Sequence, residues 1–414
     1  VVNLDGIAIK LARNPRDGDL YFLNPVEGIF RVQLGPPGTK TKVVDIGTIF
    51  SEGMPAGMAF GPDGTLFVVA NRRVEEIRTQ AIIRRGLPTD NGYRWETLAS
   101  TEPYPLSNTN FDHLFNGMLV SPDGQWLYIN SGSRTDHGEI QSNNGAFPDT
   151  REVALTSKIF RLPTSVTDLL LPNDDEQLAA EGWIFAQGTR NAYDLEWAPN
   201  GELFAPDNGP DADYPDELNL VRAGQHYGFP WRFGSQANPQ QFPDYDPARD
   251  PRLHPDFMAV QTGTYQNDPT FPTAPGTFTD PIANRGPAAT QYIGDDGSQR
   301  DAASEGQTLT TFTPHRSPLG LVFATSSTLP ADLQGTELEL SAFVLSWGAA
   351  GGSLSDKGQD LLHVRLIPTN AGYQAATQLI ARGFKNPIDG VMIDNRLYVL
   401  EYNQGGQLWE LTFE

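Results

Sequence analysis

The chain has 414 residues, and its 29 basic side chains stand against 51 acidic ones, a formal net charge of −22. A surface this acidic repels nucleic acid and anionic lipid, so neither is expected as a partner. It contains no cysteine, which excludes disulfides, a thiol nucleophile and thiolate metal sites, and no apolar run approaches the roughly 18 residues of a membrane span. The 41 glycines and 33 prolines point to many turns and few long helices. The start at Val1-Val2-Asn3 lacks an initiator Met and a signal-peptide pattern, and reads as a mature or trimmed chain.

Taken in order, the chain repeats one unit: a strand, a Pro-Asp-Gly type turn, and a second strand. It occurs at residues 7–23 around Asp17-Gly18, at 57–71 around Pro62-Asp63-Gly64, and at 117–133 around Pro122-Asp123-Gly124. A fourth copy, 194–210, turns at Pro199-Asn200-Gly201, with strands expected over 194–198 and 202–205. The fifth, 318–323, has lost its tight turn and is read as running into 335–340. The sixth, 389–403, turns at Asp394-Asn395. Further short strands lie between the copies. One such unit cannot cover its own apolar faces, whereas a ring of them buries the faces mutually. An all-β, six-bladed β-propeller forming a single domain over 1–414 is therefore expected. Three stretches read as insertions: 72–110, 134–150 and the largest, about 235–311. The last is expected to carry short strands of blades four and five, with either a lid over the channel mouth or a mobile surface excursion.

The stretch 183–234 concentrates the chemistry. Gly188-Thr189-Arg190-Asn191 sets a guanidinium beside an amide, and Asp207, Asp211, Asp213, Asp216 and Glu217 follow the hairpin closely. Such a loop could hold an anion and a hard cation together, or be a solvated acidic turn. Five blocks here occur in order: Gly188-Thr189-Arg190-Asn191, residues 199–204, Asn208-Gly209-Pro210, Asp216-Glu217-Leu218-Asn219, and His226-Tyr227-Gly228-Phe229-Pro230. Their order and spacing resemble the glucose/sorbosone dehydrogenase family, the soluble quinoprotein sugar dehydrogenases.

The resemblance implies pyrroloquinoline quinone (PQQ) and calcium as cofactors. His113, nine residues before Pro122, matches the family's general base. Arg190 and Asn191 match the cofactor-facing pair, with Arg190 polarising the hydride-accepting carbonyl. Asp112, Gln141 and Lys385 are further cofactor candidates, and Asp112 is expected to tune or orient His113. Gly209 and Pro210 match the calcium-ligating carbonyls, while Asp216 and Glu217 either bind the metal or cap the next turn. Two departures stand out. Leu114-Phe115-Asn116 stands where the family has a residue and a glycine pair after the histidine, which is expected to narrow the pocket or block the cofactor. The block Ser346-Trp347-Gly348-Ala349-Ala350 carries no cation, for which Arg382 or Arg316 could compensate, while Lys385 stands in at the family's second cationic block, here 384–389. The remaining histidines, His137, His226, His254, His315 and His363, lack zinc-site spacing and read as structural or surface groups.

The expected protein is a periplasmic or extracellular enzyme that oxidises an aldose or related aldehyde and passes electrons to an external acceptor. A calcium-dependent propeller lactonase and a non-catalytic sugar- or protein-binding propeller are the rivals.

Overall fold

In a computed structural model, residues 2–35, 38–325, 329–348, 351–402 and 405–414 are described. Ala349 and Ala350, at the end of the block without a cation, and Asn403, at the end of the sixth repeat, lie outside them. Strands dominate and gather into six blades around a channel. Each sequence repeat is the first hairpin of one blade. Blade one begins with Lys10–Arg13 and Leu20–Asn24, blade two with Met54–Phe60 and Leu66–Val74, and blade three with Phe115–Val120 and Trp126–Ser131. Blade four opens with Glu196–Trp197 and Leu203–Asp207, blade five with Pro318–Ala324 and Leu340–Ser346, and blade six with Pro387–Ile393 and Arg396–Glu401.

The turns recur for a local reason. Asp17, Asp63, Asp123 and Asn200 each accept, through Oδ1, the amide two residues on, at 2.9–3.1 Å. The glycine after each takes a positive φ that L side chains avoid. Second strands are buried on both faces, as in Leu20–Asn24, because a neighbouring blade covers each side. Outer strands such as Thr39–Asp45 are largely exposed and carry lysines, which discourages edge-to-edge pairing. The apolar core is correspondingly divided among the interfaces between consecutive blades. Phe67 and Ile83 meet Phe115 and Phe160 between blades two and three, and Tyr128 meets Leu195 and Leu203 between blades three and four. Val2–Asn3 pairs with the carboxy-terminal strand Gln407–Thr412, so the two chain ends close the ring within blade six.

Three expectations change. Residues 72–110 are not an insertion: Arg78–Thr89 and Gly92–Thr101 are the outer strands of blade two. The turn from Leu66–Val74 into Arg78–Thr89 places Glu75 and Glu76 at positive φ, where asparagine or glycine would have signalled it. In blade four the first strand shrinks to Glu196–Trp197, since Asp194 turns its carboxylate to the amides of Leu195 and Leu321 instead of extending the ladder. In blade five the second strand starts only at Leu340, and Leu338 is exposed. The 235–311 segment contributes Ala283–Pro287, which runs parallel to Gly372–Arg382 on the outer edge of blade five. It also returns along blade four, where Ile282 and Thr311 bond the backbone of Glu217–Val221 and its neighbour Asp216. Among the described residues no helix is long and apolar enough to cross a membrane.

Candidate active site

The hairpin turns lie on one face of the ring. The segments that enter first strands and leave second strands lie on the other, and the chemistry collects there. His113 precedes the first strand of blade three, and Gly132 and Ser133 follow its second. Arg190 and Asn191 precede the first strand of blade four, and Asn208 to Pro210 follow its second. Blades five and six present Trp347 and Lys385 from the same positions.

These segments are joined through backbone. Ser133 donates its amide to Arg190 O at 2.7 Å, and His113 donates its amide to Ser133 O at 3.0 Å. Gly132 sits at the junction: a Cβ there would lie 2.4 Å from His113 Cβ, 3.2 Å from Arg190 O and 3.3 Å from Asn191 Oδ1. Glycine alone lets the histidine stand against the Arg190-Asn191 pair.

The imidazole is oriented by Ser133. Its Nδ1 lies 3.1 Å from Ser133 Oγ and 3.4 Å from Ser133 O. Ser133 Oγ donates its own proton to Thr135 O at 2.7 Å, so Nδ1 must be the donor in the first contact. Nε2 then carries the lone pair. Burial, reinforced by the positive charge of Arg190, pushes the imidazole down to about 3, so it is neutral at ordinary pH. A cavity of about 480 Å³ opens beside it between blades two and three, lined by Met54, Asn71, Arg72, Leu106, Asp112 and Leu114 among others.

Residues 53–257 match the family model described as glucose/sorbosone dehydrogenase. That segment, just under half of the chain, is similar to this family. Quinoprotein glucose dehydrogenase B of Acinetobacter calcoaceticus is 27% identical over 175 residues, 38% of this chain and 33% of that protein. The match thus spans about a third of that curated relative's length. Two solved structures share the fold. The apo-form soluble aldose sugar dehydrogenase of Escherichia coli has a TM-score of 0.59 at 16% identity, covering 99% of this chain and 97% of that one. The PQQ-bound aldose sugar dehydrogenase of Streptomyces coelicolor has a TM-score of 0.55 at 16% identity, covering 100% of this chain and 96% of that one.

The residues matched to the family's motifs are placed as follows. Arg190 is buried, with Nε donating to Asp136 O and Nη2 to Asp136 Oδ1, both at 2.7 Å, while Nη1 reaches Asn208 O only at 3.5 Å. Its amide and that of Asn191 donate to the two oxygens of buried Asp207 at 2.9 and 2.5 Å. Asn116 donates to Asn191 Oδ1 at 2.9 Å and to His113 O at 3.3 Å, and it accepts from Asn130. It therefore ties the two matched blocks together and obstructs nothing. Phe115 is fully buried and stacks on Phe160 at 5.5 Å in the interface between blades, so it does not narrow a pocket.

Asp112 does not orient His113: its carboxylate accepts from the amide and hydroxyl of Ser107, both at 2.9 Å. Gln141 lies in the loop after blade three's second strand, donating to Glu139 Oε1 at 2.9 Å. Asp216 accepts the amides of Gly209 and Ser317 at 2.7 and 2.8 Å, and Glu217 accepts Gly234 N and Asn219 Nδ2 at 2.7 and 2.9 Å. Through these bonds the two carboxylates brace the turn. Arg316 is withdrawn from any ligand, being buried between Asp356 and Asp360. Arg382 lines a separate cavity with it. Lys385 is exposed, and its ammonium meets no described partner.

Asp136 carries no signal in the sequence, and Asn208 is marked there only as part of the Asn208-Gly209-Pro210 block, without a role of its own. Asp136 sits in a polar loop 54 residues before Arg190, and Asn208 Oδ1 is a buried atom without a hydrogen-bond partner among the described residues.

Proposed function

We propose that the protein is a quinoprotein sugar oxidoreductase that oxidises an aldose or related sugar aldehyde with PQQ and calcium. The observation that carries this reading is the shared wall at Gly132, which holds His113, with a free imidazole lone pair, against Arg190 and Asn191.

The residues present fit both groups. Arg190, through its underused Nη1, and Lys385, through its unpaired ammonium, would hold the anionic groups of a quinone. The Gly209 carbonyl, to which no described residue donates, belongs to the residue after Asn208, whose Oδ1 is orphaned; these are neutral hard oxygens of the kind calcium takes. Pro210 adds a carbonyl that already accepts Ala212 N at 2.8 Å. When bound, the quinone supplies the hydride acceptor and the calcium polarises it.

His113 Nε2 takes the proton of the sugar's anomeric hydroxyl as general base. The hydride leaves the same carbon, so the two-electron oxidation balances: one proton to the imidazole, one hydride to the acceptor. Arg190 holds positive charge where the acceptor oxygen becomes negative. An anion against Arg190 also offsets the field that depresses His113, so loading the site strengthens the base. The cavity beside His113, at about 480 Å³, lies within the roughly 300–1,000 Å³ of small-molecule sites and is assigned to the sugar. An external acceptor then collects the electrons, and the reading includes an exported location, periplasmic or extracellular.

One observation weighs against a lactonase with a metal at the channel centre. The channel is occupied by the Lys10 ammonium, 3.5 Å from Asp194 and 3.0 Å from Tyr193 O, and a divalent ion would have to share that space. Reconstitution with PQQ and calcium, an absorbance spectrum, and aldose-dependent dye reduction test the proposal. Quinone binding with dye reduction supports it. Lactone turnover without dye reduction, or no quinone binding at all, overturns it.

A further inference from the structure

Asp136 collects donors from four separate segments. It is fully buried in the loop after blade three's second strand. Its Oδ1 accepts Arg190 Nη2 at 2.7 Å, and both oxygens accept the amide of Asp211 at 3.0 and 3.2 Å. Its Oδ2 lies 2.8 Å from His137 Nδ1 and 3.4 Å from the Tyr265 hydroxyl. Its backbone carbonyl takes Arg190 Nε at 2.7 Å.

We infer that Asp136 is the positioning residue of this site, holding the Arg190 guanidinium and the turn at Gly209 to Asp211 in one rigid frame. The inference rests on the reading that Arg190 faces the quinone. A guanidinium is planar, and fixing Nε and Nη2 to one residue fixes the plane and leaves a single edge, Nη1, directed elsewhere. The same carboxylate grips the amide just beyond Pro210, so the cationic edge and the carbonyl turn cannot drift apart. Asp136 is itself locked. The His137 ring stacks on Tyr265 at 3.8 Å and 16°, and His137 Nδ1 lies 3.5 Å from Glu139 Oε2. Burial works against the Asp136 charge, but Arg190, His137 and the Asp211 amide together hold its carboxyl at about 2. The frame therefore exists before any ligand arrives, which is what preorganised charge stabilisation requires.

The test uses the full chain with calcium, PQQ titrated by absorbance, and the variants Asp136→Asn, Arg190→Gln and the double replacement. Removing a negative charge near an anion does not weaken its binding, so Asp136→Asn should keep the quinone dissociation constant or lower it. Misplacing the guanidinium should nonetheless reduce turnover per bound quinone by about 10²-fold, with KM for the sugar little changed. The bound quinone's absorption band should shift as it does in Arg190→Gln. In the double variant the Asp136 replacement should add almost nothing to the Arg190→Gln loss. A purely structural role would lower the apo melting temperature and leave turnover per bound quinone and the band untouched, and that result overturns the inference. Losses that multiply in the double variant also overturn it. Should Asp136→Asn fail to fold alone, recovery of a native melting transition in the doubly neutral variant still ties Asp136 to Arg190, and no recovery refutes the tie. A wild type that binds no quinone removes the proposed function and this inference together; a fully active Asp136→Asn removes this inference alone.

Discussion

Gly132 and His113 are packed so closely that the Cβ glycine lacks would fall 2.4 Å from the histidine's own Cβ. Gly132→Ala should therefore push His113 off the Arg190-Asn191 wall. Overpacking of this kind destabilises by about 1–3 kcal/mol, and the larger effect should be on turnover, because the base moves. Thermal unfolding and dye-linked rates on the same preparation check this; unchanged turnover would show that the histidine's placement does not matter.

Base and cation should separate cleanly in variants. His113→Ala should leave quinone affinity near wild type while lowering turnover about 10²–10⁴-fold. Arg190→Ala should lower quinone affinity and rate together, because its charge meets the cofactor itself. Burial, the largest cause that pushes the His113 imidazole down to about 3 in the unliganded protein, persists when an anion offsets Arg190, so kcat/KM should still show no acid limb near the ordinary histidine range of about 6.5. An acid limb there that vanishes in His113→Ala would contradict the buried, neutral imidazole.

The family's glycine pair invites a misleading experiment. Phe115 stacks on Phe160 and lies near Tyr104, and Asn116 links His113 to Asn191. Replacing Phe115 with alanine should cost about 3–5 kcal/mol of stability by leaving a core cavity, with no gain in quinone affinity. Improved binding, measured by titration, would place Phe115 at the pocket after all.

What was legible in the sequence follows from how local each signal is. Four hairpins could be read because Asp17, Asp63, Asp123 and Asn200 make their turns within three residues, whereas the fifth, without such a turn, was read with its second strand too early. The matched blocks could be read because Arg190, Asn191 and Gly209 fall within one short stretch. The direction of Phe115 could not: one residue's step along a strand decides between channel and inter-blade core, and Leu114 at positive φ shifts that alternation. Asp136 could not either, since a carboxylate in a polar loop carries no periodicity, and only the fold brings it to Arg190. The continuation of blade two into its outer strands was hidden because Glu75 and Glu76 make the turn from Leu66–Val74 into Arg78–Thr89, a turn that sequence rules assign to other residues.

Buried carboxylates should give the protein an unusual pH profile. Burial raises Asp207 and Asp389 to about 7 and Glu217 to about 8. Between the ordinary carboxylate range and these values, the folded state binds more protons than the unfolded one. Stability must then fall as pH rises through that window. The melting temperature of the metal-free protein should decrease from pH 5 to pH 9, and Asp389→Asn should flatten the slope. A melting temperature that rises over this interval would show that these carboxyls are ionised in the fold.

Calcium should act at the turn after blade four's second strand. Asn208 Oδ1 has no described partner, and the carbonyl of the next residue, Gly209, accepts from no described donor. Asp216, by contrast, is committed to the amides of Gly209 and Ser317. The ion is therefore expected to depend on neutral oxygens more than on the nearby carboxylates. A ligand bound only by the folded state stabilises it by about 2.7 kcal/mol at a hundred times its dissociation constant, so calcium should raise the melting temperature and a chelator should reverse the rise. Asn208→Leu should abolish that response, whereas Asp213→Asn, whose carboxylate lies 3.2 Å from His315 Nε2, should preserve it. If calcium raises the melting temperature equally in wild type and Asn208→Leu, the ion binds elsewhere. If it raises neither melting temperature nor quinone affinity in wild type, the turn at Gly209 and Pro210 holds no calcium.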